Sequence, residues 1–130
     1  MAIGDGAACP CGSGMPYAAC CGRLHGGGVA DTAAALMRSR YSAYVLGRTD
    51  YLRETWHPRT RPAVLDPDAA AATKWLGLSL REHRQTGDNA AIVEFVARYK
   101  VGGGSAVRLH ETSRFVREDG RWFYVDGDIR

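Results

Sequence analysis

A cluster of thiols near the start of the chain has the spacing of a metal site. Cys9 and Cys11 form one pair, Cys20 and Cys21 form a second, and the 130 residues contain four cysteines in total. Two thiolate pairs separated by a short loop supply the four soft donors that a tetrahedral Zn²⁺ requires. We therefore predict a zinc knuckle over residues 9–21 with one ion per chain. Because four sulfurs leave no open coordination position, the predicted ion is structural.

Two other interpretations of the cysteines stay open at this point. A pair of disulfides would need an oxidising compartment, whereas the N-terminal residues carry neither the basic nor the apolar segment of an export signal. His25 lies close enough in sequence to replace Cys21 as the fourth ligand. The lack of a signal segment favours reduced thiols with a bound metal ion, and it predicts a cytoplasmic location.

Length and composition predict one main domain with a small appendage. No apolar run approaches the roughly 18 residues that a membrane-spanning helix needs. The formal net charge is +3, and all but two of the 17 basic residues are arginines. A group of arginines between residues 38 and 61 is a candidate anion-binding surface, which would suit ribosome or RNA association. These arginines are Arg38, Arg40, Arg48, Arg53, Arg59 and Arg61. The alternative is an ordinary solvated face.

Helical spacing begins after a glycine-rich connector over residues 22–31. An amphipathic helix is predicted between an N-cap at Asp31 or Thr32 and a terminating glycine at Gly47. Its apolar face comprises Ala33, Leu36, Met37, Tyr41 and Tyr44. A second, short helix is predicted through Trp56, followed over residues 58–72 by a loop and a further helical turn or two.

The residue pattern changes to a period of two beyond residue 73, which predicts four antiparallel strands. The first strand carries Leu76, Leu78 and Leu80 on one face, and later strands are predicted over 91–101, 107–115 and 121–129. Helices followed by a strand meander indicate an α+β fold. A curved sheet that wraps around the first helix would bury the apolar faces of both.

Two charged residues interrupt these apolar faces. Arg40 lies within the apolar arc of the first helix, and Glu111 and Ser113 lie in phase with apolar residues of the third strand. Because a buried charge needs a partner, we predict that Arg40 and Glu111 pair between helix and sheet. The alternative is that one of them extends to the rim of the domain. Further predicted lining residues are Tyr41, Trp56, Trp75 and Tyr124.

Residues 9–14 (CPCGSG) followed by Cys20 and Cys21 resemble the SEC-C motif, the zinc-binding tail of the preprotein translocase ATPase SecA. Segments along the rest of the chain resemble the YchJ family of uncharacterised bacterial proteins. These segments are 36–41 (LMRSRY), 55–58 (TWHP), 75–78 (WLGL), 95–98 (FVAR), 113–115 (SRF) and 122–127 (WFYVDG).

The resemblance implies a SEC-C motif with its linker over residues 1–28 and a nuclear transport factor 2-like (cystatin-like) domain over residues 29–130. That fold is a cone in which helices pack inside a curved four-stranded antiparallel sheet. The resemblance also implies that Glu111 and Ser113 occupy the positions of the family's Glu and Ser before an Arg-Phe pair.

The leading functional prediction is a cytoplasmic zinc-binding adaptor rather than an enzyme. Its knuckle would present Met15, Tyr17 and Leu24 to a protein partner, by analogy with the docking of SecA's motif on SecB and the ribosome. The alternative is a small-molecule enzyme or binding protein that uses Arg40 and Glu111 in a cavity. A homodimer is also predicted through the outer sheet face, which carries Ile92, Val96 and Val116.

Overall fold

The structure is a computed structural model that describes residues 6–63 and 73–130. A 3₁₀ turn (Tyr17–Ala19) and helix α1 (Cys21–His25) follow the first cysteines, and helices α2 (Ala33–Leu46) and α3 (Thr49–Glu54) come next. The strands are β1 (Thr73–Gly87), β2 (Ala90–Val101), β3 (Val107–Glu118) and β4 (Arg121–Ile129). They form one antiparallel sheet in the order β1-β2-β3-β4. The predicted α+β class and four-strand meander are confirmed.

Helix α2 begins and ends where the sequence predicts. The Thr32 hydroxyl accepts a hydrogen bond from the Ala35 backbone N–H at 3.0 Å, and Gly47 adopts the left-handed conformation with φ of 71°. The predicted amphipathic character is wrong, however. At 37%, Val45 is the one exposed residue of α2, because the sheet covers one side of the helix and the cysteine knuckle covers another.

Helix α3 ends at Glu54 rather than at Trp56. The chain leaves the helix there because its backbone pairs with β4: the Tyr124 N–H donates to the Thr55 carbonyl at 2.9 Å, and the His57 N–H donates to the Tyr124 carbonyl at 2.8 Å. This pairing fixes Trp56 beside Tyr124. The helical turn predicted before residue 72 falls on residues 64–72, outside the described residues.

Strand β1 is longer than predicted and changes phase near its start. A register shift between Trp75 and Gly77 turns Leu76 outward, where it is 42% exposed, while Trp75, Leu78 and Leu80 pack against the core. The predicted alternation of Leu76 with Leu78 and Leu80 on one buried face is therefore wrong for Leu76. The irregularity brings Trp75 to the side of the sheet that faces α2.

Among the described helices, none combines the length and apolar content needed to cross a bilayer.

Candidate metal centre and cavity

The four cysteine side chains converge in the N-terminal knuckle. Their Sγ atoms all lie within 4.8 Å of one another, the Cys11 and Cys20 sulfurs are 3.6 Å apart, and all four thiols are free. Sulfurs around a tetrahedral ion with Zn–S bonds of about 2.3 Å lie about 3.8 Å apart. The disulfide alternative is therefore not formed, and the donor set fits a soft divalent metal ion.

Glycines and short backbone hydrogen bonds shape the knuckle. Gly12 and Gly14 have φ of 80° and 84°, which side chains with a Cβ rarely adopt. The Cys9 N–H donates to the Met15 carbonyl at 2.9 Å and closes the turn that holds the first sulfur pair. The Ser13 hydroxyl lies 3.2 Å from the Cys20 sulfur, a distance at which it supports the second pair.

The thiols differ in how readily they lose a proton. The hydrogen bond with Cys21 lowers the pKa of the Cys11 thiol to about 4, and burial opposes this effect. The same contact, with burial, raises the pKa of Cys21 above its usual range, and burial raises the pKa of Cys20. Without a cation, only part of the cluster is stable as thiolate. A divalent metal ion would allow all four cysteines to be thiolates, because it favours the deprotonated form of every ligand.

His25 is not a fourth ligand, contrary to the alternative left open by the sequence. Its Nε2 lies 2.8 Å from the Ser39 carbonyl, which only accepts, so Nε2 carries the proton. Its Nδ1 then accepts from the Tyr17 hydroxyl at 2.6 Å. Both ring nitrogens are occupied, and burial lowers the pKa of His25 below 6.5. The neutral ring links the knuckle to α2.

The knuckle packs on α2 through further contacts on either side of His25. The Arg38 guanidinium donates to the Cys11 carbonyl at 3.1 Å, and the Ser42 hydroxyl lies 3.6 Å from the Cys9 sulfur. Tyr17 and Leu24 are buried in the same core, whereas Met15 is 47% exposed. The predicted docking turn is therefore wrong for Tyr17 and Leu24, which are used for internal packing.

The stability of the protein should fall as the pH drops below about 6.5, because the unfolded chain protonates His25 while the buried ring resists protonation. Above this pH the ring is neutral in both the folded and the unfolded state, so His25 does not make the free energy of unfolding depend on pH. Between 6.5 and the lowered pKa, the slope is at most about 1.4 kcal/mol per pH unit. Urea unfolding of wild type and His25→Gln at several pH values would test this. A stability difference between the two that is constant from pH 7.5 to 5.5 would contradict it.

A second site lies between α2 and the sheet. A cavity of about 230 Å³ there is lined by all seven side chains that the sequence places in the cone: Arg40, Tyr41, Trp56, Trp75, Glu111, Ser113 and Tyr124. Lining residues that the sequence did not single out for this role include Met37 and Tyr44 from α2. Both belong to the predicted apolar face of α2, and their position on the same face as Arg40 and Tyr41 is the sequence signal that indicates a place in the cavity.

Arg40 and Glu111 share this cavity without forming the predicted ion pair. Arg40 Nη1 donates instead to the Leu52 carbonyl at 2.9 Å and to the Thr55 hydroxyl at 2.7 Å. The Ser113 hydroxyl donates to Glu111 Oε2 at 2.5 Å. The end of α3 lies closer to the guanidinium than β3 does, and its backbone carbonyl provides an acceptor that sequence reasoning did not consider.

Aromatic rings surround the buried guanidinium. Arg40 is 3% exposed, and its Cζ lies 4.6 Å from the Tyr124 ring centre and 5.1 Å from that of Trp56. Burial lowers the pKa of Arg40, while it raises the pKa of Tyr41 and, together with the Glu111 carboxylate, that of Tyr124. An arginine nevertheless stays protonated in a protein, so the cavity wall carries a positive charge.

Two indole groups of the cavity lack hydrogen-bond acceptors. The Nε1 atoms of Trp56 and Trp75 are buried without a partner in the described part of the chain. Trp75 packs against Tyr41 and Tyr44 with ring centres 5.6 and 5.7 Å apart. The Nε1 atom of Trp122 is also unpaired, but this residue lines a separate, smaller cavity of about 120 Å³.

The arginines at residues 38–61 do not all reach one surface. Arg40 lies in the cavity, Arg38 is bonded to the knuckle backbone, and Arg61 donates to the Trp56 carbonyl at 3.1 and 3.2 Å. The predicted basic surface is therefore wrong in including Arg40. Association with RNA or the ribosome stays a prediction.

The outer sheet face carries polar pairs beside Ile92 and Val116 of the predicted dimer contact. The prediction is wrong for Val96, which is 5% exposed and therefore not available to a second chain. His110 Nε2 lies 2.6 Å from Glu94 Oε2, and Arg114 contacts Asp126 and Asp128 at 2.5 and 2.7 Å. The hydrogen bond from His110 lowers the pKa of Glu94. The homodimer stays a prediction.

Comparison with known proteins identifies the family. A family model described as the YchJ middle NTF2-like domain matches residues 32–127. The chain belongs to the YchJ family. A SEC-C motif model matches residues 7–23, which include all four cysteines of this YchJ-family protein. The resemblance stated from the sequence is thereby confirmed, as is the NTF2-like fold.

Relatives and solved structures agree with this assignment. A UPF0225 protein of Bordetella parapertussis is 58% identical over 127 residues, covering 95% of this chain and 94% of its own. One of Xanthomonas campestris is 56% identical over 118 residues, covering 91% and 92%.

The solution structure of a SEC-C motif containing protein from Rhodopseudomonas palustris matches the structure of this YchJ-family chain with a TM-score of 0.83. The two are 37% identical, and the match covers 94% of this chain and 98% of the other. The crystal structure of such a protein from Psychrobacter arcticus has a TM-score of 0.78 at 32% identity, covering 94% and 82%.

Proposed function

We propose that this protein binds a small molecule in the cavity between α2 and the sheet, while a zinc ion in the knuckle holds α2 in place. One observation carries the binding proposal: a cavity of about 230 Å³ combines a buried cation and a carboxylate with aromatic walls. Buried polar groups are normally hydrogen-bonded, and an unpaired one costs about 1–3 kcal/mol. A bound ligand would accept from the Arg40 N–H groups that have no acceptor among the described residues.

Zinc is the proposed metal because four thiolates in tetrahedral reach are its usual structural donor set. The four sulfurs would bind the ion as thiolates. The hydroxyl groups of Ser13 and Ser42 would support the Cys20 and Cys9 sulfurs from outside. The proposed location is the cytoplasm, where thiols stay reduced.

Two sequence-based predictions continue beside this proposal. Docking of a SecB-like or ribosomal partner now depends on Met15 and the neighbouring Arg23 and Arg38, which line a shallow depression on the knuckle. Use of Glu111 as a general acid or base would require the same cavity. Small-molecule binding is the common requirement of the cavity roles, and it is therefore the function we place first.

We expect small molecules to shift the indole N–H signals of Trp56 and Trp75 in nitrogen-resolved NMR spectra. A library of neutral, anionic and cationic aromatic fragments is the probe, and Trp→Phe variants assign the three signals. Trp122 is the internal control, because its N–H is also buried and unpaired but lies outside the cavity. The proposal fails if no fragment shifts the Trp56 and Trp75 signals at millimolar concentration, or if Trp122 shifts equally.

A further inference from the structure

The chemistry of the cavity indicates which ligand it suits, an inference that rests on the proposed function. Arg40 and Glu111 are the charged side chains that line the cavity, so their formal charges sum to zero. Burying a ligand with a net charge would leave that charge uncompensated, which is costly in a largely apolar site. The balance of charges therefore favours a neutral molecule.

Hydrogen-bonding capacity remains on both charged groups. Arg40 uses Nη1 for Leu52 and Thr55, and its Nε and Nη2 have no acceptor among the described residues. Glu111 receives the Ser113 hydroxyl on Oε2, and its Oε1 has no donor there. A guanidinium only donates and a carboxylate only accepts. A ligand that satisfies both must present an acceptor to one and a donor to the other.

The cavity walls set the shape of the ligand. Tyr41, Tyr44 and Trp75 form one aromatic wall, and Trp56 with Tyr124 forms another. Aromatic walls favour flat rings that stack or meet them edge to face. At about 230 Å³, the cavity is smaller than the roughly 300–1,000 Å³ of sites for drug-sized ligands. The space suits one ring with a small substituent.

We propose that the cavity binds a neutral, planar aromatic amide, of the kind found in a ring carboxamide or in the lactam edge of a nucleobase. An amide carries a carbonyl acceptor and an N–H donor side by side in the plane of the ring. The carbonyl accepts from Arg40, and the N–H donates to Glu111. An aromatic carboxylate lacks the donor, and an aromatic amidinium lacks the acceptor.

Three probes of nearly equal size separate these classes: benzamide is neutral, benzoate is an anion and benzamidine is a cation at neutral pH. Titration of wild type, followed through the Trp56 and Trp75 indole signals, should show benzamide binding about tenfold more tightly than either charged analogue. Trp122 signals should stay in place in all three titrations.

Glu111→Gln provides the matched variant, because it removes one charge while keeping the size of the side chain and an acceptor for Ser113. The preference for benzamide over benzoate should fall about tenfold in this variant, since the remaining Arg40 charge favours the anion. Its backbone spectrum should match that of wild type. If the variant does not fold, Trp75→Phe replaces it and should weaken benzamide severalfold, because it leaves a smaller aromatic wall for the ring to pack against.

The results separate the ligand class from the function. Benzoate or benzamidine binding as tightly as benzamide, with shifts at Trp56 and Trp75, overturns the amide class and leaves small-molecule binding intact. The same holds if other fragments shift these signals and benzamide does not. If no fragment of any charge binds, both proposals fail.

Discussion

Cys11→Ser is expected to abolish metal binding and to lower the free energy of unfolding by about 4–5 kcal/mol or more, the range associated with loss of a structural metal. Cys11 is fully buried, and its backbone carbonyl accepts from Arg38 on α2. Loss of the ion leaves three cysteines that no metal bond holds together. Tyr17 and Leu24 would then lose the anchored segment that packs them against the core. Metal analysis and chemical unfolding measure the two effects.

Met15→Ala is the matched control for this experiment, because Met15 lies in the same loop but is 47% exposed. It should keep one metal ion per chain and nearly the wild-type stability. Chelation of the wild type should reproduce the Cys11→Ser result. A Cys11→Ser protein that retains one ion and unfolds at the wild-type denaturant concentration would refute a structural role for the metal.

Gly127→Ala should lower the free energy of unfolding by about 1 kcal/mol, the lower end of the range for overpacking, because the overlapping atoms lie at the flexible end of Glu111. A Cβ at Gly127 would overlap the Glu111 carboxylate, and Glu111 is in turn held by Ser113. The glycine on β4 therefore makes room for the carboxylate that enters the cavity from β3. Thermal or urea unfolding gives the stability change, and fragment titration shows whether displaced Glu111 alters binding.

Gly103→Ala is the control, because a Cβ there would meet nothing within 4 Å. A second variant locates the overlap: Glu111→Ala in the Gly127→Ala background removes the overlapping atoms and should recover most of the lost stability. If the double variant is as unstable as the sum of the two single ones, the overlap with Glu111 is not the cause.

Much of the fold followed from residue patterns, because local signals and the hydrophobic period agreed. Thr32 and Gly47 mark the ends of α2 by their capping chemistry, and turn residues mark the strand ends. The cavity was also predictable in outline. Arg40 on an apolar helix face and Glu111 on an apolar strand face both required polar partners, and both line the same cavity in the structure.

The rest depended on tertiary contacts that no residue pattern shows. Apolar periodicity identified one buried side of α2 but not the other, because the second side carries the buried residues Ser39 and Ser42. The Ser42 hydroxyl contacts the Cys9 sulfur, and the Ser39 backbone carbonyl contacts His25. Small hydroxyl residues are ordinarily assigned to solvent, so their burial was missed. The partner of Arg40 was misassigned for a similar reason: a backbone carbonyl freed at the end of α3 has no signature in the side-chain sequence.

Helix α2 connects the cysteine knuckle with the cavity, since neighbouring residues along it contact one or the other. Arg38 and Ser42 contact Cys11 and Cys9, the Ser39 carbonyl contacts His25, and Arg40 and Tyr41 border the cavity. Because these residues belong to one rigid helix, a rotation or shift of α2 at the knuckle also moves the residues that line the cavity. A substitution that shifts α2 is therefore expected to disturb both sites, whereas variants in the sheet or in the cysteine loop can test the cavity and the knuckle separately.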